Sequence, residues 1–320
     1  MLLNFSYRPY SRDFKAAIRT VHGIWQKRQG ILICISQNAK VRGFGEIAPL
    51  PWFGSETMAG ANDYCASIPV VVSSEALRTV PPGLPACEYA IATALDSLAN
   101  PPKPISPKPQ RICALLPAGP KALTAWQHLW RQGHRTFKWK LGVYPIEQEM
   151  SWFHTLRNQL PATAQLRLDA NGGLTLREAE RWLATCDVEG GVEFFEQPLS
   201  PEHLPELMEL AERFCTSLAL DESVASYPQL EDCLRQGWPG IVVIKPAILG
   251  APQRIEALCH EYAADVVISS VFETGIGRQT IIMLAQRISP HRALGIGTSD
   301  YCKDNWDHLT GSALWNQIQT

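Results

Sequence analysis

The chain has 320 residues, 46% of them hydrophobic, and a formal net charge of −2 at pH 7. This length and hydrophobic fraction can supply one large domain and a smaller one, with a substantial buried core. The near-neutral charge excludes the basic footprint of a nucleic-acid-binding surface, and the sequence has no polybasic stretch for a membrane surface. We therefore expect a small-molecule partner, no nucleic acid and no membrane.

The beginning of the chain, Met1 to Tyr7, lacks the basic region of a secretory signal, and no run of about 18 apolar residues occurs in the sequence. We therefore expect a cytoplasmic protein. The nine cysteines are odd in number and include no C-x-x-C pair, so they predict neither a disulfide framework nor a zinc site. We expect them to be reduced and mostly buried.

The first part of the chain combines strand signals with a later helical signal. Residues 30–35 and 41–46 flank a short turn at 37–40, which predicts two antiparallel strands. Apolar residues recur at helical spacing over 87–99, which predicts a helix at the end of this unit. We therefore predict an α+β capping domain over residues 1–105.

A loop at 48–57 contains prolines, a glycine and two aromatic residues, Trp52 and Phe53. This composition favours a lid that covers a site. A surface loop held by its own aromatic side chains is an equally good interpretation.

The second part of the chain begins after a stiff connector, since five prolines fall between Pro101 and Pro109. Short apolar runs then alternate with helical patterns over 110–297, which predicts a (β/α)7β TIM-like barrel. The predicted strands are 112–116, 137–141, 165–169, 192–196, 217–221, 241–245, 265–270 and 293–297, and the predicted helices are 121–131, 146–160, 176–186, 201–214, 227–235, 252–262 and 277–288. Too few residues follow for an eighth helix, so we expect 298–320 to return to the capping domain.

Charged residues recur at the ends of the predicted barrel strands. The differences in sequence number are 29, 27, 25 and 24 along the series Lys140, Asp169, Glu196, Asp221 and Lys245. Such a period fits one strand, one helix and two short loops. Because the active site of this kind of barrel lies at the C-terminal strand ends, we expect these charges to converge on one pocket.

Three of these charges, Asp169, Glu196 and Asp221, are carboxylates on successive strands. Three like charges in a partly buried pocket are tolerated when a cation neutralises them, and an all-oxygen set favours Mg²⁺ over zinc. Mn²⁺ is an expected substitute. The alternative is that each carboxylate is an ordinary helix N-cap or surface charge. Their repetition at one point of three repeats favours the metal site.

Lys138 and Lys140 are two residues apart, so both face the barrel mouth while Trp139 faces the other way. Lys245 can face the metal site from the opposite side. A lone K-x-K pattern would be better explained by a solvated edge strand, but here it accompanies the carboxylate series. Lysines in a desolvated pocket beside a divalent cation become usable bases. This arrangement suits removal of a proton next to a carboxylate, with the metal stabilising the enediolate.

Five short motifs carry a resemblance to a known family. They are Phe137-Lys138-Trp139-Lys140, Leu168-Asp169-Ala170-Asn171, Phe195-Glu196-Gln197-Pro198, Leu220-Asp221-Glu222-Ser223 and Ile244-Lys245-Pro246. Together they resemble the signature of the muconate-lactonizing subgroup of the enolase superfamily. The match covers the barrel densely and the first domain more thinly.

Within that subgroup the chain most resembles the dehydratases of menaquinone and phylloquinone biosynthesis. Arg167 two residues before the first carboxylate, the loop at 269–277 and the loop at 45–57 all carry this likeness. The Asp-x-Asp that the subgroup's dipeptide epimerases usually carry after the eighth strand is absent from 297–301. The resemblance implies substrate contacts from Arg167, Asn171, Ser269, Ser270, Glu273, Thr274 and Gly275.

The reaction implied by the resemblance is the dehydration of 2-succinyl-6-hydroxy-2,4-cyclohexadiene-1-carboxylate to o-succinylbenzoate. Lys140 is expected to act as base and then acid, Lys138 to hold the substrate carboxylate with Mg²⁺, and Lys245 to contribute positive charge on the opposite face. An N-acylamino acid racemase or dipeptide epimerase, with Lys140 and Lys245 as two bases, is the first alternative. A catalytically silent barrel is the second, and the intact charge series argues against it.

Overall fold

The computed structural model describes residues 1–20, 23–38, 41–101, 105–289, 291–299 and 301–318. Within these residues the chain forms one antiparallel sheet and one parallel sheet, with helices between the parallel strands. No helix in these ranges is long and apolar enough to cross a bilayer. The cysteines are free thiols, and all except Cys215 are buried.

The first sheet has four strands in the order β3-β2-β1-β4, each antiparallel to its neighbours. The strands are β1 (Leu2–Thr20), β2 (Gly23–Ser36), β3 (Arg42–Ile47) and β4 (Val71–Ser73), and the helices are α1 (Met58–Ser67), α2 (Ser74–Arg78) and α3 (Pro85–Ala99). The predicted hairpin is present as β2 and β3, although residues 39 and 40 of its turn lie outside the described part. The sequence analysis missed β1, the longest strand of this sheet.

Helix α3 packs directly on β3 because two glycines remove side chains from the contact. A Cβ at Gly43 or Gly45 would overlap the carbonyl oxygen of Ala94 or Ala90 on the helix. This close approach buries most of α3, and the inward residues of β2 beneath it are fully buried as well. The α+β domain therefore has a core of its own beside the barrel.

The second sheet contains parallel strands in simple chain order from β5 to β11. The strands are β5 (Cys113–Leu116), β6 (Thr136–Lys140), β7 (Gln165–Asp169), β8 (Val192–Glu196), β9 (Leu218–Leu220), β10 (Ile241–Ile244) and β11 (Asp265–Ile268). The helices are α4 (Ala122–Arg131), α5 (Ile146–Gln159), α6 (Leu176–Glu189), α7 (Leu204–Arg213), α8 (Tyr227–Arg235), α9 (Pro252–Glu261) and α10 (Gly275–Ile288). The predicted alternation of strand and helix is confirmed, with shifts of a few residues at the ends.

The barrel closes through two bridging residues instead of the predicted eighth strand at 293–297. Leu294 pairs with Ile112 and Gly295 pairs with Ser269, both in parallel, so this segment joins the two edge strands. The backbone N–H of Gly295 donates to the carbonyl of Ile268 at 2.7 Å. The strand is short because glycine weakens strand structure and recurs at position 297, where a Cβ would overlap the carbonyl of Cys113.

The last described segment packs against the first sheet. Cys302 forms an antiparallel bridge with Phe14 of β1, and the backbone N–H of Lys303 donates to Asp13 at 2.9 Å. The C-terminal helix α11 (Gly311–Gln317) places Trp315 against Phe44. Part of the predicted connector, 102–104, lies outside the described residues, and the domain limits 1–105, 110–297 and 298–320 stay predictions.

A buried ion-pair network lies in the barrel near the ends where the strands begin. Arg167 on β7 donates to Glu193 at 2.7 Å and to the carbonyl of Ala293 at 2.9 Å, and only 1% of its side chain is exposed. Arg292 donates to the other oxygen of Glu193 at 2.8 Å. Glu193 therefore neutralises a guanidinium that has no access to water.

Replacing Glu193 with alanine should lower the free energy of unfolding by about 3–5 kcal/mol, because the charge of Arg167 would stay buried without a partner. The matched control is Glu147→Ala, which breaks a largely exposed ion pair with Arg181 and should change stability little. Urea unfolding followed by tryptophan fluorescence measures both variants. Equal losses in the two would contradict a special role for the buried pair.

Candidate active site

A cavity of about 730 Å³ lies at the C-terminal ends of the barrel strands, between the barrel and the capping domain. Charged side chains on or just after strands β6 to β10 form one wall, and aromatic or apolar side chains of the capping domain form the other. The charged residues are Lys138, Lys140, Arg167, Asp169, Glu196, Asp221, Glu222 and Lys245, and those of the capping domain are Ile18, Trp25, Leu50, Trp52 and Phe53. Part of the loop at 48–57 thus lines the cavity, and its action as a lid stays a prediction.

The carboxylates at the strand ends are held by lysines. The ammonium of Lys138 lies 2.6 Å from an oxygen of Asp169 and 2.6 Å from an oxygen of Glu196. The ammonium of Lys245 contacts Asp221 in the same way. All three carboxylates are at most 5% exposed, so each charge is balanced inside the protein instead of by water.

The crowding of like charges shifts the pKa values in this cluster. Burial, together with the neighbouring Asp169, raises the pKa of Glu196 to about 8. Burial alone would lower the pKa of Lys138, but Asp169 and Glu196 outweigh it and raise the pKa of that lysine well above its ordinary value. In this arrangement Lys138 is a charged partner for the carboxylates and not a free base.

The possible metal ligands in this cluster are of the chemical type that a hard cation such as Mg²⁺ prefers. Asp169, Glu196 and Asp221 offer only oxygen atoms, and all three are buried around one cavity. In the described part of the chain, no three His, Cys, Asp or Glu side chains already stand in a metal-binding group. Lys138 and Lys245 occupy the carboxylate oxygens, so metal binding requires these ammonium groups to move.

Glu222 belongs to this cluster, although the sequence analysis did not single it out. One of its oxygens accepts from the side chain of Asn171 at 3.1 Å, and the other is buried without a hydrogen-bond partner in the described chain. Burial, with Asp221 beside it, raises the pKa of Glu222 to about 7. Asn171, predicted to bind substrate, also donates its backbone N–H to Asp169 at 2.9 Å. The two adjacent acidic residues at 221–222 were the sequence signal from which Glu222 could have been predicted.

The two other lysines differ in their surroundings. Lys140 lines the cavity and makes no ion pair with any described residue. The ammonium of Lys245 lies 4.0 Å from the centre of the Phe53 ring, which the capping domain supplies. Lys140 is therefore the lysine with the fewest charged partners in this cluster.

The residues predicted to bind substrate after β11 separate into two groups. Ser269 and Ser270 line the cavity. Glu273, Thr274 and Gly275 are not part of the cavity wall and instead form the beginning of helix α10, where Glu273 and Thr274 are buried. A role for these three in direct contact with substrate has no support in the geometry and stays a prediction.

Arg167, also predicted to bind substrate, borders the cavity but directs its hydrogen bonds elsewhere. Its guanidinium donates to Glu193 and to the carbonyl of Ala293, and it lies 4.7 Å from the ring centre of Phe194. These donors serve the protein's own acceptors. Its contact with substrate likewise stays a prediction.

An aromatic cluster that the sequence analysis missed covers the cavity. Phe272 contacts Phe14 on β1 and Trp25 on β2, both at 5.3 Å between ring centres, and Tyr301 at 5.6 Å. Trp25 in turn contacts Trp52. Phe272 has a φ of +64°, a left-handed conformation that costs energy for any residue with a Cβ. The cluster joins segments far apart in the chain, so no local pattern could reveal it.

The strain at Phe272 can be measured by comparing two substitutions. Phe272→Gly and Phe272→Ala remove the same ring, but only glycine relieves the left-handed backbone. We expect the glycine variant to be more stable than the alanine variant by about 1 kcal/mol. Urea unfolding of both provides the comparison, and a more stable alanine variant would show that the backbone changes its conformation when the ring is lost.

This site, a capped barrel whose strand ends carry three successive carboxylates between lysines, defines an enzyme of the enolase type. The sequence profile described as "Enolase C-terminal domain-like" matches residues 121–312, and the profile described as "MenC, N-terminal domain" matches residues 8–98. An o-succinylbenzoate synthase of Thermosynechococcus vestitus is 38% identical to this chain, over 95% of this chain and 94% of that protein. The chain belongs to the o-succinylbenzoate synthase family.

Solved structures agree with the fold. A crystal structure of o-succinylbenzoate synthase from Thermosynechococcus elongatus, complexed with Mg in its active site, is similar with a TM-score of 0.90, 36% identity and coverage of 98% of both chains. An L-Ala-D/L-Glu epimerase of Bacillus subtilis has a TM-score of 0.79 with 17% identity, over 94% of this chain and 91% of that chain. The second likeness shows the shared fold alone. The predicted family and fold class are confirmed.

Proposed function

We propose that this chain is a Mg²⁺-dependent hydro-lyase that converts 2-succinyl-6-hydroxy-2,4-cyclohexadiene-1-carboxylate to o-succinylbenzoate in menaquinone or phylloquinone biosynthesis. The observation that carries the proposal is the set of three lysines and three carboxylates around one covered cavity. The family membership supports the choice of substrate. We propose that the enzyme acts in the cytoplasm on this small carboxylate.

Asp169, Glu196 and Asp221 are the residues that would hold Mg²⁺, or Mn²⁺ in its place. When bound, the ion supplies positive charge beside the substrate carboxylate, which acidifies the neighbouring C–H. Lys138 then turns its ammonium from Asp169 and Glu196 to the substrate carboxylate.

Lys140 is the group best placed to move the proton. In its neutral form it takes the proton from the carbon next to the carboxylate, and the electron pair delocalises into an enediolate dianion. As an ammonium it returns the proton to the departing hydroxyl on the same face, so the C–O bond breaks and water leaves. The product ring is aromatic, and Lys140 is neutral again. Lys245 contributes positive charge near the enediolate without exchanging a proton.

Replacing Lys140 with alanine should reduce kcat by at least about 10²-fold, because one group acts as both base and acid. Lys138→Ala should chiefly raise KM, since that lysine holds the substrate carboxylate. The ultraviolet spectrum of the product reports the rate. A Lys140→Ala enzyme that retains a rate close to that of the wild type would exclude Lys140 as the proton carrier.

The metal site can be tested without measuring turnover. Lys138→Ala leaves two buried carboxylates unpaired, so the metal-free variant should unfold at a lower temperature than the wild type. Mg²⁺ should raise the Tm of this variant more than that of the wild type, because it replaces the missing charge. Lys121→Ala, which removes an exposed lysine, is the control. Equal Mg²⁺ shifts in all three proteins would contradict the proposed ligands.

An isomerase of the same superfamily, an N-acylamino acid racemase or dipeptide epimerase, is the second candidate because Lys140 and Lys245 both line the cavity. Lys245→Arg separates the two functions, since arginine keeps the charge but cannot carry the proton near neutral pH. We expect dehydration to persist and N-succinylamino acid racemisation to be lost. Wild-type racemisation that is more efficient than dehydration would make the isomerase the better assignment.

A further inference from the structure

Glu46 is a buried carboxylate of the capping domain whose hydrogen bonds extend into the barrel domain. It lies on β3 and is 2% exposed. Its oxygens accept the backbone N–H groups of Thr274 and Gly277, both at 2.9 Å, and the hydroxyls of Thr274 and Tyr10. Three of these four donors belong to the first turn of helix α10 or its N-cap. A side chain from one domain thus caps a helix of the other.

This cap suits the chemistry of a helix start. The first N–H groups of a helix have no acceptor within the helix, and the end carries partial positive charge, so a carboxylate binds there favourably. Gly277 makes room for it, since a Cβ at that position would lie 2.8 Å from an oxygen of Glu46. The first turn of α10 is therefore built around a group that the capping domain supplies.

The beginning of α10 is connected to the cavity wall by further hydrogen bonds. Glu273, one residue before the N-cap Thr274, accepts from the hydroxyl of Ser270 and from the backbone N–H of Val271 at 3.0 Å. The hydroxyl of Ser270 in turn accepts the backbone N–H of Phe272 at 2.8 Å. Residues 270–272 all line the cavity. The wall and the capped helix start therefore form one connected unit.

The position of this wall indicates what it contacts. The charged end of the cavity follows strands β6 to β10, and the proposed function assigns it to the ring carboxylate of the substrate. Residues 270–272 follow β11, beyond the charged end. The hydroxyl of Ser270 and the N–H groups of Val271 and Phe272 are already hydrogen-bonded within this segment, so the segment shapes the wall and presents the ring of Phe272 to the part of the ligand that projects away from the charged end. In the proposed substrate that part is the succinyl arm.

We propose that Glu46 is a positioning residue through which the docked capping domain fixes the wall at 270–272 and so sets the affinity for the succinyl arm. The proposal rests on the proposed function for the identity of the ligand. Glu46 does not itself line the cavity, so its effect passes through Thr274 and Glu273.

A matched control exists in the same domain. Glu56 is also a buried carboxylate, 7% exposed, and it accepts the backbone N–H groups of Ala86 and Cys87 at the start of α3. These hydrogen bonds stay within the capping domain. Glu56→Gln therefore removes the same charge from the same kind of helix cap without changing the contact to α10.

The experiment compares Glu46→Gln, Glu56→Gln and the milder Tyr10→Phe, which removes one donor to Glu46, with the wild-type holoenzyme. The measurements are thermal unfolding, kcat and KM for the cyclohexadiene substrate, and inhibition by two ligands. These ligands are o-succinylbenzoate and benzoate, which lacks the succinyl arm. For Glu46→Gln we expect KM and the inhibition constant of o-succinylbenzoate to rise about tenfold, with benzoate inhibition and kcat nearly unchanged. Tyr10→Phe should change them in the same direction but less. Because Glu56 belongs to the loop at 48–57, part of which lines the cavity, Glu56→Gln should lower the Tm and change inhibition by benzoate and by o-succinylbenzoate to the same extent.

Several results would overturn the proposal. Similar changes in the ratio of the two inhibition constants in Glu46→Gln and Glu56→Gln would reduce Glu46 to a general stabilising role, as would equal weakening of benzoate and o-succinylbenzoate by Glu46→Gln. A wild-type enzyme that does not dehydrate the substrate refutes the proposed function separately. In that case hydrogen exchange of residues 269–277 in the ligand-free proteins decides the positioning role: faster exchange in Glu46→Gln alone supports it, and unchanged exchange refutes it.

Discussion

The structure depends on a concentration of negative charge that barrel geometry creates and lysines balance. Parallel strands bring the residues at their C-terminal ends together, so Asp169, Glu196 and Asp221 are buried around one cavity. Without cations, such a cluster would be strongly unfavourable inside a protein. Lys138 and Lys245 supply the balancing charge from the same set of strands. The ion pairs that offset the repulsion between the buried carboxylates are thus formed by the same residues to which we assign the proposed chemistry.

Carboxylates also organise the loops around this site in a second way, by accepting backbone N–H groups. Glu149 on α5 accepts from Gly142, Val143 and Tyr144 at 2.9–3.0 Å and so holds the loop that follows the strand of Lys138 and Lys140. Glu273 does the same within the loop after β11. Loops that carry functional residues need such anchors because their backbone groups have no sheet partners. The cavity wall is therefore held by short side-chain contacts as well as by the barrel strands.

Much of the barrel could be predicted from the sequence because its signals are local and repeated. Apolar runs that end in one charge, at regular intervals, identify the strands and place Lys140, Asp169 and Glu196 at one edge. The first sheet was harder to predict, since β1 buries Arg12 among its inward residues and thus breaks the apolar alternation. Arg12 is neutralised by Asp304, near the other end of the chain, and no local pattern contains that partner.

The same limit applies to the cavity wall. Glu273 and Thr274 belong to a motif that suggested substrate contact, but whether a side chain in such a loop faces a ligand or the helix behind it depends on packing. The buried acceptor Glu46, 228 positions away from Thr274, draws that residue toward the capping domain. The role of Phe272 depends in the same way on Phe14 and Trp25. These contacts can be found only when both domains are in place.

The two-residue closure of the barrel has a consequence for the order in which the chain can fold during synthesis. Leu294 must pair with Ile112 to close the ring, and the carbonyl groups of Trp315 and Ile318 accept hydrogen bonds from Arg8 on the first strand. Strand β1 thus receives hydrogen-bond partners that follow it by 307 and 310 positions in the sequence. Such non-local contacts form late, because the intervening chain must be ordered first. The nascent protein therefore has an unfinished first sheet and an open barrel, both exposed to aggregation, until residues 294–318 have been made.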